Sequence, residues 1–170
     1  PIEEIRVTAD FRESSLMRAP ISMTVVSKEA ISSRSAQHLE HVLNRAPNVN
    51  FSSSASRSRY FQIRGIGERG QLQEPINPSV GLIIDNVDFT GIGAAATLFD
   101  VEQVEVLRGP QGTRYGANAF AGLIYVNSVA PSDELEGKVE LTIANYDTYN
   151  LGVAAGGSLT SSLLGRIAIQ

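Results

Sequence analysis

Among the 170 residues, the types that most often do chemistry are few and scattered. Cysteine is absent, which removes disulfide frameworks, thiolate–zinc sites and thiol nucleophiles together. The two histidines, His38 and His41, stand three apart, the spacing that puts two side chains on one helix face. A metal would need a third ligand, and Glu40 falls off that face, so the pair reads as helix surface. The run Gly65-Ile66-Gly67-Glu68-Arg69-Gly70 matches the dinucleotide pattern G-x-G-x-x-G. That pattern works only when a helix follows and turns its N-terminal amides toward the pyrophosphate. Pro75 and Pro78 follow instead, and Asp85 and Asp88, the ribose partners in that reading, fall inside or after another strand. Glu102 and Glu105 lack a basic or aromatic neighbour in sequence that would tune them for proton transfer, and both are expected to be solvated. No Gly-x-Ser-x-Gly elbow and no Gly-Lys-Thr phosphate loop occurs. The expectation is a protein that is not an enzyme and holds no cofactor or metal.

Two arginines stand out by position. Arg64 and Arg108 each close a predicted strand just before a glycine. Arg108 shares the alternating face of Val104 and Val106, so its guanidinium leaves an apolar side and calls for an anionic partner. The loops at 52–59, 68–79 and 90–97 are polar or rich in small residues. Arg57, Arg59, Tyr60, Arg69, Gln71 and Gln73, in or beside these loops, could hydrogen-bond an anionic or hydroxylated solute, although each alone reads first as a solvated loop residue.

The elements that must position these groups are mostly strands. Hydrophobic residues make up 42% and charged residues 19%, the balance of a folded domain rather than a disordered tail. Lys plus Arg is 14 against Asp plus Glu 18, so no concentrated basic surface is available for nucleic acid. Residues 1–19 are charged with scattered apolar side chains and read as mobile, and Ile5 and Val7 alternate with Glu4, Arg6 and Thr8 in the manner of a strand awaiting an edge. Residues 21–26 read as a strand, and Ser27 as a weak helix start. Ser35 opens a predicted helix in which Leu39, Val42, Leu43 and Ala46 keep helical spacing until Pro47 stops it. Strands follow at 48–51, 60–64, 80–84, 103–108 and 123–127, of which 80–84 is apolar on both faces and therefore expected to be buried on both.

After Pro131 the texture changes. Val139, Leu141 and Ile143 alternate with Lys138, Glu140 and Thr142; Tyr149, Leu151, Val153 and Ala155 resume the apolar face after a turn at Asp147-Thr148; Ile167 and Ile169 begin a third run. Strands of about nine residues with this alternation suit a bilayer crossed at a tilt. Three strands cannot close a barrel, and an open edge in lipid leaves backbone groups unsatisfied, so the sequence is expected to be a piece of a longer polypeptide.

The stretch 98–122, Leu-Phe-Asp-Val-Glu-Gln-Val-Glu-Val-Leu-Arg-Gly-Pro-Gln-Gly-Thr-Arg-Tyr-Gly-Ala-Asn-Ala-Phe-Ala-Gly, closely resembles the signature of the plug domain of TonB-dependent outer-membrane receptors. So do Pro20-Ile21-Ser22-Met23-Thr24-Val25-Val26, the run from Leu43 to Val49, Gln62-Ile63-Arg64-Gly65-Ile66-Gly67, and the run from Val80 to Val87. The resemblance spans residues 20–130 in unbroken order. It implies an α+β plug domain, a small mixed β-sheet with short helices, over 20–131. A segment at 1–19 would carry the TonB box (Glu4, Ile5, Arg6, Val7, Thr8 and Ala9), and 132–170 would hold the first antiparallel strands of a transmembrane β-barrel. It implies import of a scarce solute such as a ferric siderophore across a bacterial outer membrane, with TonB and its inner-membrane complex, the solute and outer-membrane lipid as partners. It also implies that Arg64 and Arg108 pair with glutamates on the barrel wall and that the plug faces the periplasm from inside the barrel. A fragment of a passive outer-membrane β-barrel or adhesin, and a soluble dinucleotide-binding enzyme, are the alternatives.

Overall fold

In the computed structural model, which describes residues 5–7, 14–53, 60–69, 77–92 and 97–170, most elements are short strands. In chain order they are β1 (Arg6–Val7), β2 (Ser14–Ser15), β3 (Ser22–Ser27), α1 (Lys28–Ser32), α2 (Leu39–Leu43), β4 (Val49–Ser52), β5 (Tyr60–Ile63), β6 (Ile66–Gly67), β7 (Val80–Ile84) and β8 (Val87–Asp88). They continue with β9 (Val101–Arg108), α3 (Gly112–Tyr115), β10 (Gly122–Ser128), β11 (Glu136–Ala144), β12 (Thr148–Thr160) and β13 (Leu163–Ile169). The described residues fall into two compact units, the first drawn from 1–98 and 103–127, the second from Phe99–Glu102 and Ser128–Gln170.

The first unit is built on a mixed sheet in the order β3-β9-β10-β7-β8. β3 runs antiparallel to β9, with Ser22 opposite Arg108 and Ser27 opposite Gln103. β10 runs parallel to β7, with Gly122 opposite Val80 and Val126 opposite Ile84. Parallel strands covered on both sides lose their alternation, which is why residues 80–84 read as an unbroken apolar run; Val80 to Leu82 and Ile83 are buried. Leu107, Leu123, Tyr125, Ile83 and Ala119 form one core layer, with Met23, Ile21 and Tyr115 packed against it. By alternation the other face carries Val104, Val106, Ile124 and Leu82, all fully buried. Fully burying a side chain of this size contributes about 1.5–3 kcal/mol.

Beside it, β4, β5 and β6 make a small antiparallel sheet. β5 returns into β6 through Arg64 and Gly65, both in the left-handed region at φ 55° and 81°, the signature of a two-residue hairpin. The glycine-rich run at 65–70 therefore begins in a hairpin, not at the mouth of a helix. Asp85 and Asn86 make a second such turn between β7 and β8.

The helix expected from Ser35 opens instead at Leu39. Ser35 takes a left-handed conformation at φ 49°, and the Ala36 amide donates to the Ile31 carbonyl at 3.1 Å, closing α1 with a C-terminal cap. α2 then buries Leu39, Val42 and Leu43, the periodic residues that marked it. His38 is its N-cap residue rather than a member of a helix face.

In the second unit β11, β12 and β13 form an antiparallel sheet, paired Val139 to Val153, Leu141 to Leu151, Ile143 to Tyr149 and Val153 to Ile169. One face presents all of these side chains, with Ile167, in the open. The opposite face carries the small residues Gly152, Ala154 and Gly156, all buried. Among the described residues no helix is long and apolar enough to cross a membrane, which leaves strand crossing untouched.

A tight backbone approach lies at the start of β10. A Cβ on Gly122 would stand 2.4 Å from the Leu107 carbonyl oxygen, and backbone cannot swing aside as a side-chain tip can. Gly122→Ala is expected to lower stability by about 1–3 kcal/mol, the usual cost of overpacking, read as a shift in the urea midpoint of the first unit. A midpoint within error of the parent would refute this account of the strand pair.

Candidate functional site

The chemistry of the first unit concentrates on β9 and what surrounds it. Arg108, the last residue of β9, is only 8% exposed. Its Nε donates to the Pro47 carbonyl at 2.9 Å, and its Nη2 donates to the Thr24 hydroxyl. Thr24 lies diagonally across the β3–β9 pairing, and Pro47 presents a carbonyl just beyond α2. Among the described residues neither partner is a carboxylate. Burial lowers the pKa of Arg108, and the positive charge of Arg64 adds to that lowering. Arg64 itself is exposed on the β5–β6 turn. The fold thus brings the two arginines into electrostatic range of each other.

Three residues earlier, Glu105 is 0% exposed, which corrects the expectation that it is solvated. β9 is covered on both faces over this stretch, a tertiary condition that an alternating charged residue does not announce. The Gln103 side-chain amide donates to Glu105 Oε1 at 2.6 Å and the Asn127 amide donates to the same oxygen at 3.1 Å. A buried carboxylate of this kind is tolerable only with such donors. Tyr115 and Tyr125 stand with ring centroids 6.1 Å apart, and the Tyr125 hydroxyl donates to Asn86 Oδ1 at 2.6 Å. Burial pushes the Tyr115 phenol up to about 12, with Tyr125 and the Glu105 charge adding to it. Tyr125 is raised by burial first and by Glu105 next.

The Gln103 amide nitrogen has a second task, donating to the Arg6 carbonyl at 3.1 Å. It therefore ties the N-terminal strand to the buried carboxylate. Arg6 and Val7 pair with Ser15 and Ser14, the Leu16 amide donates to the Ile5 carbonyl at 2.9 Å, and Val7 is 1% exposed. The stretch whose composition reads as mobile has these described residues docked, with Val7 buried. Glu4, Thr8 and Ala9 lie outside the described residues.

Of the loop residues, Tyr60 and Arg69 are described, while Arg57, Arg59, Gln71 and Gln73 lie outside the described residues. Tyr60 is buried on β5, and its hydroxyl has no hydrogen-bond partner among the described residues. Arg69 is exposed. The hairpin that carries it is pinned by Glu68, whose Oε1 accepts from the Ser79 amide at 2.9 Å and hydroxyl at 2.8 Å. His38 and His41 stand with ring centroids 5.4 Å apart, and among the described residues no group of three or more His, Asp or Glu could hold a metal.

A mixed sheet with short helices, a buried arginine closing an interior strand, a docked N-terminal strand and a following sheet with one bare apolar face make up a particular combination. The TonB-dependent Receptor Plug Domain family matches residues 15–123. This chain belongs to that family. The pesticin receptor of Yersinia enterocolitica is 30% identical over 162 residues, which are 94% of this chain and 24% of the receptor. The vitamin B12 transporter BtuB of Vibrio vulnificus is 32% identical over 139 residues, 81% of this chain and 22% of the transporter. The ferric yersiniabactin uptake receptor FyuA of Yersinia pestis superposes with a TM-score of 0.76 at 29% identity, covering 88% of this chain and 24% of FyuA. FpvAI, solved with pyocin S2, shares the fold at a TM-score of 0.76 and 21% identity. The chain thus spans about a quarter of the length of such relatives.

The mixed sheet is the plug, and β11 to β13 are the start of the barrel. The family is one of receptors and transporters, not enzymes, and the dinucleotide-binding reading falls with it.

Sequence reasoning missed three residues that the plug and its wall rely on: Glu105, Asp100 and Arg166. The last two form a bidentate ion pair, Arg166 Nε to Asp100 Oδ2 at 2.6 Å and Nη2 to Oδ1 at 2.7 Å. The only signal in sequence was an arginine on an alternating strand, which ordinarily means solvent.

Tyr115 offers a pH test. Its folded pKa lies above the ordinary phenol value, so the neutral form favoured by the fold contributes stability that is fully present below about 10 and lost as pH rises through about 12. The plug is expected to lose stability across that window and Tyr115→Phe to flatten the loss, as followed by urea unfolding at a series of alkaline pH values. An equally steep loss in the variant would show that Tyr115 is not its source.

Proposed function

We propose that this chain is the plug and the first barrel strands of an outer-membrane active transporter that imports a scarce solute, energised by TonB. The observation that carries the reading is the docked N-terminal strand. Ile5 to Val7 are held by a few hydrogen bonds and the burial of one valine. At ~1 kcal/mol per net hydrogen bond and about 1.5–3 kcal/mol for the valine, release costs a few kcal/mol. That is a cost which pairing of the freed strand with an edge of TonB can offset. The Gln103 bridge ties this handle to the buried Glu105 and so to the plug's core, which gives movement inside the plug a route to the handle.

The plug would sit within the barrel and face the periplasm, with solute meeting Tyr60 and Arg69, together with Arg57, Arg59, Gln71 and Gln73, at the outward end. The Tyr60 hydroxyl, without a partner among the described residues, supports that assignment, since a buried donor without an acceptor favours a polar ligand. Arg64 and Arg108 would meet carboxylates of the barrel wall outside this chain. The partial burial of Arg108, its neutral partners and its lowered pKa all favour an added anion. The exposed face of Val139, Leu141, Ile143, Leu151, Val153 and Ile167 would meet outer-membrane lipid. A ferric siderophore is the leading solute, because FyuA is named for ferric yersiniabactin uptake and the PbuA receptor of Pseudomonas sp. for ferric pyoverdine. Cobalamin is the second, from BtuB.

Deleting residues 4–9 from the full-length receptor is expected to abolish energised uptake and leave solute binding within about twofold of the parent. The measurement is uptake of ferric yersiniabactin, ferric pyoverdine and cobalamin by cells with and without TonB, beside equilibrium binding to the purified receptor. TonB-dependent uptake that survives the deletion would overturn the assignment of the handle.

A further inference from the structure

Residues 99–102 lie within the plug-family match, yet they group with the strands that follow the plug. Their attachment has a specific geometry. Asp100 is 5% exposed, and its carboxylate receives two hydrogen bonds from Arg166 on β13, 66 residues later in the chain. The Arg166 side chain is 10% exposed, so the pair is withdrawn from water, where losing one partner is most costly. Glu136 on β11 stands further off, at 3.8 Å from Arg166 Nη1, and is half exposed.

The rest of the seat is shaped to match. A Cβ on Gly152 would fall 2.5 Å from the Phe99 ring, so the absence of a side chain there makes room for that ring. Lys138 places its ammonium 4.9 Å from the centre of the same ring. A Cβ on Gly156 would meet the stem of Arg166 at 2.9 Å. Asp100 itself takes a left-handed backbone at φ 58°, which turns its carbonyl to accept from the Val129 amide at 2.9 Å. One residue therefore holds β13 through its side chain and the start of the β10–β11 connection through its backbone.

We propose that Asp100 and Arg166, with Phe99 seated over Gly152, form a clasp that keeps residues 99–102 fixed to the strand wall when the remainder of the plug moves. The plug is then not released as one body. Its sequence is anchored at an internal point, and the chain leaves the wall at Leu98 and Gln103. The proposal rests on reading the chain as a plug followed by a barrel wall.

The test is hydrogen exchange of the full-length receptor in rising urea, read residue by residue at the Val129 amide and at the β7 amides of Leu82 and Ile83. In the parent, Val129 is expected to stay protected at urea concentrations that open β7, together with the β12 amides. Asp100→Asn keeps a residue that tolerates the left-handed backbone and removes only the charge. That variant and Arg166→Gln are each expected to speed exchange at Val129 by at least about tenfold relative to β12, and the double variant to be no faster than either. Arg166→Lys, which keeps the charge and loses the fork, should fall between. Glu136→Gln should change the rate by less than about threefold. Opening of Val129 together with β7 in the parent, unchanged rates in the single variants, or additive effects in the double variant would each overturn the clasp. The readout needs neither solute nor TonB, so a receptor that fails to import would count against the proposed function and leave the clasp standing.

Discussion

Burial of charge on one strand is the condition around which the plug is organised. β9 is covered on both faces, yet it carries a carboxylate at 105 and a guanidinium at 108. Each must find hydrogen-bond partners inside the fold, because an isolated buried charge is too costly to keep. Glu105 draws in Gln103 and Asn127; Arg108 draws in the Pro47 carbonyl and the Thr24 hydroxyl. Those contacts tie β9 to its surroundings: β3 beside it brings Thr24 to Arg108, the Pro47 carbonyl beyond α2 accepts from the same guanidinium, and Asn127 on β10 reaches Glu105. The amide that satisfies Glu105 is also the one that holds the N-terminal strand, so the site of attachment and the core share a side chain.

The strand wall solves a different problem. Its apolar residues alternate onto one face and stay in the open, while on the other face the buried positions of β12 are glycine and alanine, flanked by polar residues such as Lys138, Glu140 and Arg166. A sheet sized for water would bury the larger side chains and expose the small ones. This sheet does the reverse, which is the arrangement of a strand crossing lipid. The column of small residues then leaves space for an aromatic ring and an arginine stem, and the ion pair between Asp100 and Arg166 closes over it.

Much of the fold was legible before any coordinates. The strand at 80–84 was visible as an apolar run, and the wall strands as a period of two, because both patterns report the immediate surroundings of successive side chains. The helix expected from Ser35 was only half legible. Periodic leucine and valine marked α2, but the break at Ser35 depends on a left-handed residue that caps α1, and serine gives little notice of that role. Glu105 was misread for the same reason that Asp100 and Arg166 passed unnoticed: a charged residue on an alternating strand means solvent unless a second layer covers it.

The sequence by itself determined the family, through the motifs it shares with the plug signature, and the two textures and approximate strands, which follow from the periodicity and composition of neighbouring residues. Tertiary structure alone decided which charges are enclosed and which residues far apart in the chain answer them. Asp100 and Arg166 are separated by 66 positions, and Gln103 stands far from Arg6. Pairings at that separation are set by the three-dimensional course of the chain, which brings the partners within hydrogen-bond distance only once the sheets have formed.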